Sequence, residues 1–184
     1  MRSMKWAVAV AVATSSLLGC GNSQPSIYRV AVTPQVAPNT CYRVAPTTPN
    51  PDTTTNIVDE KQWVIWKGIE EDVYLEPGTI NYDMGEARNV TISGDAIRGS
   101  KNDDGEYVFT SQRTLILSTA ETHTTVATYT IEELGKTLKG TLSLSSACAG
   151  ADCGGSPTCN TTLSFSGRKL DGDREFLYGT DSDG

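Results

Sequence analysis

The sequence predicts an all-β chain, an antiparallel meander that closes as an up-and-down barrel or packs as a two-sheet sandwich and is stapled by disulfides. From Trp63 onward, apolar residues alternate at a period of two with Thr, Ser, Asn, Asp or Arg, as strands do when one face is buried and the other is wet. Turn residues break this alternation at short intervals, at Pro77-Gly78, Gly85-Glu86, Asp103-Asp104-Gly105, Gly135-Lys136 and Asp171-Gly172. No stretch carries the pattern of a long helix. Eight to ten strands in sequence remove their exposed edges by closing or by stacking, and of the two the barrel is preferred.

Taken in chain order, residues 1–19 have the parts of an export signal: Arg2 and Lys5, an apolar run from Trp6 to Leu18, then the small Gly19. As a helix, Trp6 to Gly19 would reach about 21 Å, short of a membrane span. Leu17, Leu18, Gly19 and Cys20 resemble the lipobox of bacterial lipoproteins. That resemblance implies cleavage before Cys20, a diacylglycerol thioether on its thiol and an acyl chain such as palmitate on the new amino group. Two or three chains anchor firmly where one holds only marginally. An ordinary signal cut after Ala13 would leave a very short apolar core and Cys20 as an odd exported thiol. Gly21 stands where Asp would retain a lipoprotein in the inner membrane, so the analogy favours the outer membrane in a Gram-negative host.

Residues 20–56 hold six of the eight prolines, at Pro25, Pro34, Pro38, Pro46, Pro49 and Pro51, and are expected to form an extended tether. A single β domain is then expected over 57–184. Within the tether, Tyr28-Arg29-Val30-Ala31 is echoed by Tyr42-Arg43-Val44-Ala45, too few copies for a solenoid and readable as two short edge-strand-like segments.

In the domain, the residues expected on the buried face are Val73 and Leu75; Ile80, Tyr82 and Met84; Val90 and Ile92; Tyr107 and Phe109; and Leu115 and Leu117. They continue with Ala127, Tyr129 and Ile131; Leu138, Leu142 and Leu144; and Leu163 and Phe165. A short helical turn is allowed at Thr130–Leu134, where Thr130 and Glu133 have capping-box spacing before Gly135. Trp63 and Trp66 are read as core anchors, because tryptophan buries a large area. A tryptophan near the first strand is similar to lipocalins, but no glycine precedes either residue at G-x-W spacing, so that family's ligand cavity is not carried over.

Cys41, Cys148, Cys153 and Cys159 form an even set in an exported chain and predict two disulfides. One bond should staple "CAGADCGGSPTC" while Cys41 ties the tether to the same end, with the connectivity left open. Zinc is not expected: the spacings are not C-x₂-C, and no histidine is near in sequence.

Catalytic signals are sparse. The lone His123 sits among threonines, Ser156 lacks the G-x-S-x-G elbow, and adjacent acids such as Glu70, Glu71 and Asp72, or Glu132 and Glu133, would point to opposite faces of a strand. "KNDDGE" and "LDGDRE" fail the EF-hand template and are read as hairpin turns. With 15 Lys and Arg against 22 Asp and Glu, the chain has no cationic cluster for nucleic acid. The expectation is a membrane-anchored envelope protein without cofactor, metal or enzymatic activity, meeting envelope proteins or polymers. The alternative is a lipocalin-like carrier of a small apolar ligand.

Overall fold

The computed structural model describes residues 24–33, 38, 41–42, 61–68, 72–83, 89–92, 94–154 and 158–170. The export signal, Cys20, Glu70, Glu71, Ser156 and the Gly85-Glu86 and Asp171-Gly172 turns lie outside them. The described strands are β1 (Ser26–Val32), β2 (Lys61–Lys67), β3 (Val73–Glu76), β4 (Ile80–Asp83) and β5 (Asn89–Ile92). They continue with β6 (Ile97–Lys101), β7 (Tyr107–Ser118), β8 (Glu121–Leu134), β9 (Thr137–Ala149) and β10 (Cys159–Lys169). Eight of them close a barrel, in which each strand pairs antiparallel with the next around the ring β1, β2, β3, β6, β7, β8, β9, β10 and back to β1. The remaining pair, β4 and β5, is a hairpin inserted between β3 and β6. Of the two predicted architectures, the up-and-down barrel is the one formed.

Closure depends on a segment that the sequence reading assigned to the tether. Ser26–Val32 lies between β10 and β2, so the expected boundary at residue 57 falls too late and the barrel begins at residue 26. The reason is local: "IYRVAV" alternates as a strand does, with Tyr28, Val30 and Val32 buried. Pro25 precedes the strand without interrupting its ladder, a place proline tolerates. Of the second copy of the repeat only Tyr42 is among the described residues; it packs partly against the core beside the buried Cys41. The proposed helical turn at Thr130–Leu134 is instead the end of β8, where a register shift between Ile131 and Glu133 inserts a bulge.

Trp63 is the centrepiece of the interior, fully buried, edge-on to Tyr129 with ring centroids 5.5 Å apart and 4.6 Å from the Phe165 ring. Phe109, Leu75, Leu142 and Leu163 close around it. Two inward glycines make room for these rings. A Cβ at Gly99 would lie 2.7 Å from Phe109 Cε1, and one at Gly140 would lie 2.7 Å from Phe165 Cζ. Trp66 faces outward, half-buried, and stacks on Tyr74.

The barrel has two unlike ends. At the proximal end β1 starts, β10 finishes and the β6–β7 and β8–β9 turns are tight; the Tyr28 hydroxyl donates to the Gly135 carbonyl at 2.9 Å and clasps that end. At the distal end lie the β4–β5 hairpin, the β7–β8 turn and the β9–β10 connection. β7, β8 and β9 run for 12, 14 and 13 residues while β3 and β6 run for 4 and 5. The three long strands therefore continue past the distal rim as a ribbon, by about 24 Å from Ser111 to Ser118 at ~3.4 Å per residue.

Candidate functional site

The inner face of the long strands can be followed row by row from the register. Phe109, Tyr129 and Leu142 lie side by side in the core, followed by Ser111, Ala127 and Leu144, then Arg113, Thr125 and Ser146, and last Leu115, His123 and Cys148. Alternation is unbroken, yet the residue class turns from aromatic to polar as the opposing wall of short strands ends. Arg113 spans the opening, its Nη1 donating to the Thr91 carbonyl of the β4–β5 hairpin at 3.2 Å. Beside it an open groove of about 780 Å³ separates that hairpin from β7 and β8. Ile92, Ile97 and Ala127 contribute apolar surface, and Asp95, Arg98 and Arg113 contribute charge.

In the last row, His123 and Cys148 are register partners. Glu121, two residues earlier on the same face, places Oε1 2.6 Å from His123 Nε2, and Cys148 Sγ is 3.6 Å from that same nitrogen. The three donor atoms lie within 4.8 Å of one another and all three residues are half-buried. Cys148 is bonded to Cys153 across a short 3₁₀ turn, while Cys41 is bonded to Cys159, 118 residues away in sequence. The expected division of labour, one staple within the loop and one tie to Cys41, is thus the one formed, and both bonds sit at the distal end.

The ribbon tip departs from expectation. Leu115 and Leu117 were expected in the core, but Leu115, Ile116 and Leu117 are 48%, 70% and 58% exposed. A register shift between Ile116 and Ser118 leaves Leu117 outside the regular ladder.

Other candidates from the sequence are scattered. Asp72 is paired with Arg98 at 2.8 Å, and that partnership raises the guanidinium pKa. Glu132 and Glu133 are exposed at the proximal end of β8, with Glu133 3.2 Å from Lys139. "KNDDGE" is a self-satisfied hairpin turn: the Glu106 amide donates to Asn102 Oδ1 and Asn102 Nδ2 to Glu106 Oε2, each at 2.9 Å. In the core, Trp63 Nε1 and Tyr129 Oη are buried without a hydrogen-bond partner among the described residues, and burial pushes the Tyr129 phenol pKa up.

The proximity of His123 to Cys148 is what the sequence reading missed. Both stand equally far from the Gly135-Lys136 turn, so folding the chain back there brings them together. Nearness in sequence was the wrong test; distance from the turn brings the two within one residue of register, and the bulge between Ile131 and Glu133 sets them opposite. Compared with known proteins, the chain matches no family model, and no curated protein or solved structure shows significant similarity to it.

Proposed function

We propose that this chain is a lipid-anchored protein of the bacterial cell envelope, held through Cys20, that works without catalysis by contact with other envelope proteins or surface polymers. The observation that carries the reading is the apolar tip of the distal ribbon, where Leu115, Ile116 and Leu117 stand exposed in succession. Contiguous exposed apolar residues mark contact surfaces more often than scattered ones do. Strand direction supports the arrangement. Only residues 21–25 separate Cys20 from β1, a reach of about 18 Å when fully extended, and β1 enters at the proximal end. A lipid on Cys20 therefore keeps the proximal end near the bilayer and turns the ribbon tip away from it, towards a partner.

A photo-crosslinking side chain at position 116, expressed in the native host, should trap discrete adducts that the same group at position 104, in the proximal turn, does not. Equal labelling at both positions, or none, would remove the tip as the contact. Cys20→Ser should shift the protein out of the membrane fraction or stall it as precursor; normal maturation with unchanged membrane association would refute the anchor.

A carrier reading has one feature in its favour, a distal groove of about 780 Å³, within the roughly 300–1,000 Å³ of small-molecule sites. Its open side and charged residues suit an apolar ligand poorly, and the barrel interior that a lipocalin-like carrier would use is occupied by Trp63, Phe109, Tyr129 and Phe165. Native mass spectrometry of protein purified from its host would reverse this preference by finding a retained small molecule.

A further inference from the structure

We infer that Glu121, His123, Cys148 and Cys153 form a redox-gated site for a zinc-class divalent ion, shut while the Cys148–Cys153 disulfide is intact and open once a dithiol reduces it. The donors come from separate parts of the chain. Glu121 and His123 project from the start of β8, Cys148 comes from the facing end of β9, and the short 3₁₀ turn Ala151–Cys153 folds Cys153 back beside it.

Convergence on one atom is the telling feature. The carboxylate oxygen and the sulfur both approach His123 Nε2, whereas a catalytic relay would use opposite ring nitrogens for its two partners. In tetrahedral zinc geometry, bonds of about 2.0 Å to nitrogen and 2.3 Å to sulfur place those two atoms about 3.5 Å apart. Nε2 and Cys148 Sγ are 3.6 Å apart already. The carboxylate, now hydrogen-bonded at 2.6 Å, needs to open to about 3.3 Å, a small swing for a side chain that is 28% exposed. Glu, His and two Cys supply a full set of four donors of the kinds zinc accepts.

The gate follows from sulfur chemistry, since the thiolate is the metal ligand and a disulfide sulfur is not. Reduction breaks the Cys148–Cys153 bond and forms a disulfide in the dithiol reductant, with two electrons and two protons passing to the protein. Binding of the divalent ion then displaces the two thiol protons. The ion takes the Nε2 lone pair of a neutral imidazole whose one N–H proton sits on Nδ1, so no proton beyond the two from the thiols is released. The Cys41–Cys159 bond, with both residues buried, is set apart from this exchange.

The test uses the intact protein and cobalt(II) as probe. Mild dithiol treatment is followed by alkylation mapping to confirm that Cys148 and Cys153 alone are reduced. Titration should then give a one-to-one complex with a sulfur-to-cobalt charge-transfer band, and the oxidised protein should give none. Cys148→Ser with Cys153→Ser should abolish the band, and His123→Ala should weaken binding more than about tenfold. Glu121→Gln should weaken it less, because an amide oxygen remains. Absence of the band in the reduced wild type, or equal affinity in His123→Ala, overturns the site; equal binding by the oxidised protein overturns the gate. The comparison of oxidised with reduced wild type decides the matter even if a variant fails to fold.

Discussion

The lower and upper halves of β7, β8 and β9 are built from the same alternation and end in opposite environments. In the lower half the inner row of Phe109, Tyr129 and Leu142 is fully buried. In the upper half the row that continues it is Leu115, His123 and Cys148, with Leu115 nearly half exposed. The strands do not change; what changes is whether β1, β2 and β3 stand across from them. An inward-pointing residue is a core residue only where the far wall of the barrel exists. Length difference among neighbouring strands is thus the device by which one sheet carries both a packed interior and an exposed end.

The strongest way to break the comparison is to remove the wall itself. Deleting Ser26–Val32 would take away the strand that joins β10 to β2, expose an edge on each and strip Tyr28, Val30 and Val32 from the core. The expected outcome is a chain with no cooperative melting transition by circular dichroism. A normal melt would show that this segment is an attachment and not a stave of the barrel.

The disulfides divide the same way. In the chain-entropy account, the Cys41–Cys159 bond, spanning 118 residues, contributes about 5 kcal/mol, while the Cys148–Cys153 bond, spanning 5, contributes about 2 kcal/mol. Paired Cys→Ser replacement at 41 and 159 should therefore lower the melting temperature clearly more than replacement at 148 and 153. Equal losses would mean that the first bond adds little to a barrel already closed by β1.

Single residues sharpen the contrast further. Trp63→Ala should cost about 3–5 kcal/mol, since it empties the centre of the packed half. Ile116→Ser, at the ribbon tip, should change stability by less than about 0.5 kcal/mol while removing the crosslinks described above. Urea denaturation separates the two outcomes. A large loss of stability at Ile116 would place the tip in the fold and take away its role as a contact.

How much of this was legible in the sequence follows from the same physics. Alternation and turns disclosed the meander, the buried rows Val73 and Leu75, Ala127, Tyr129 and Ile131, Leu138, Leu142 and Leu144, and Leu163 and Phe165, and the pairing of cysteines into one loop staple and one tie to Cys41, while the side chains of Tyr82, Met84 and Val90 lie outside what the structure describes. The strand Ser26–Val32 is hard to see in the sequence because clustered prolines surround it and only the alternation of Tyr28, Val30 and Val32 marks it as a strand. Leu115 and Leu117 were misplaced because periodicity reports which face a side chain takes and not what stands opposite. The meeting of His123 with Cys148 needed the register, which a bulge between Ile131 and Glu133 offsets by one residue. With that offset unknown, the histidine could have faced Cys148 or the position beside it.

The smallest expected effect tests the packed half at one of the two buried polar atoms that lack a partner among the described residues, the other being Trp63 Nε1. Tyr129 Oη is buried with no hydrogen-bond partner among the described residues, and its phenol pKa is raised by burial from the usual 10.0. Tyr129→Phe keeps the ring against Trp63 and removes a buried hydroxyl, so near neutral pH the variant should be about 1 kcal/mol more stable than the parent. The alkaline range gives the sign an independent check. Below about pH 10 the phenol is protonated in both folded and unfolded chains and contributes no pH dependence. Above it, the unfolded chain loses that proton while the folded chain keeps it, so stability falls as pH rises, by about 1.4 kcal/mol per pH unit for each such phenol. Tyr28, also raised mainly by burial, adds to the fall in both proteins. The variant lacks the Tyr129 share, and its advantage should therefore widen between about pH 10 and pH 11 in urea titrations. A variant less stable than the parent at neutral pH would mean that the hydroxyl has a partner inside the barrel. Parallel pH profiles would mean that the phenol ionises as readily in the folded chain as in the unfolded one.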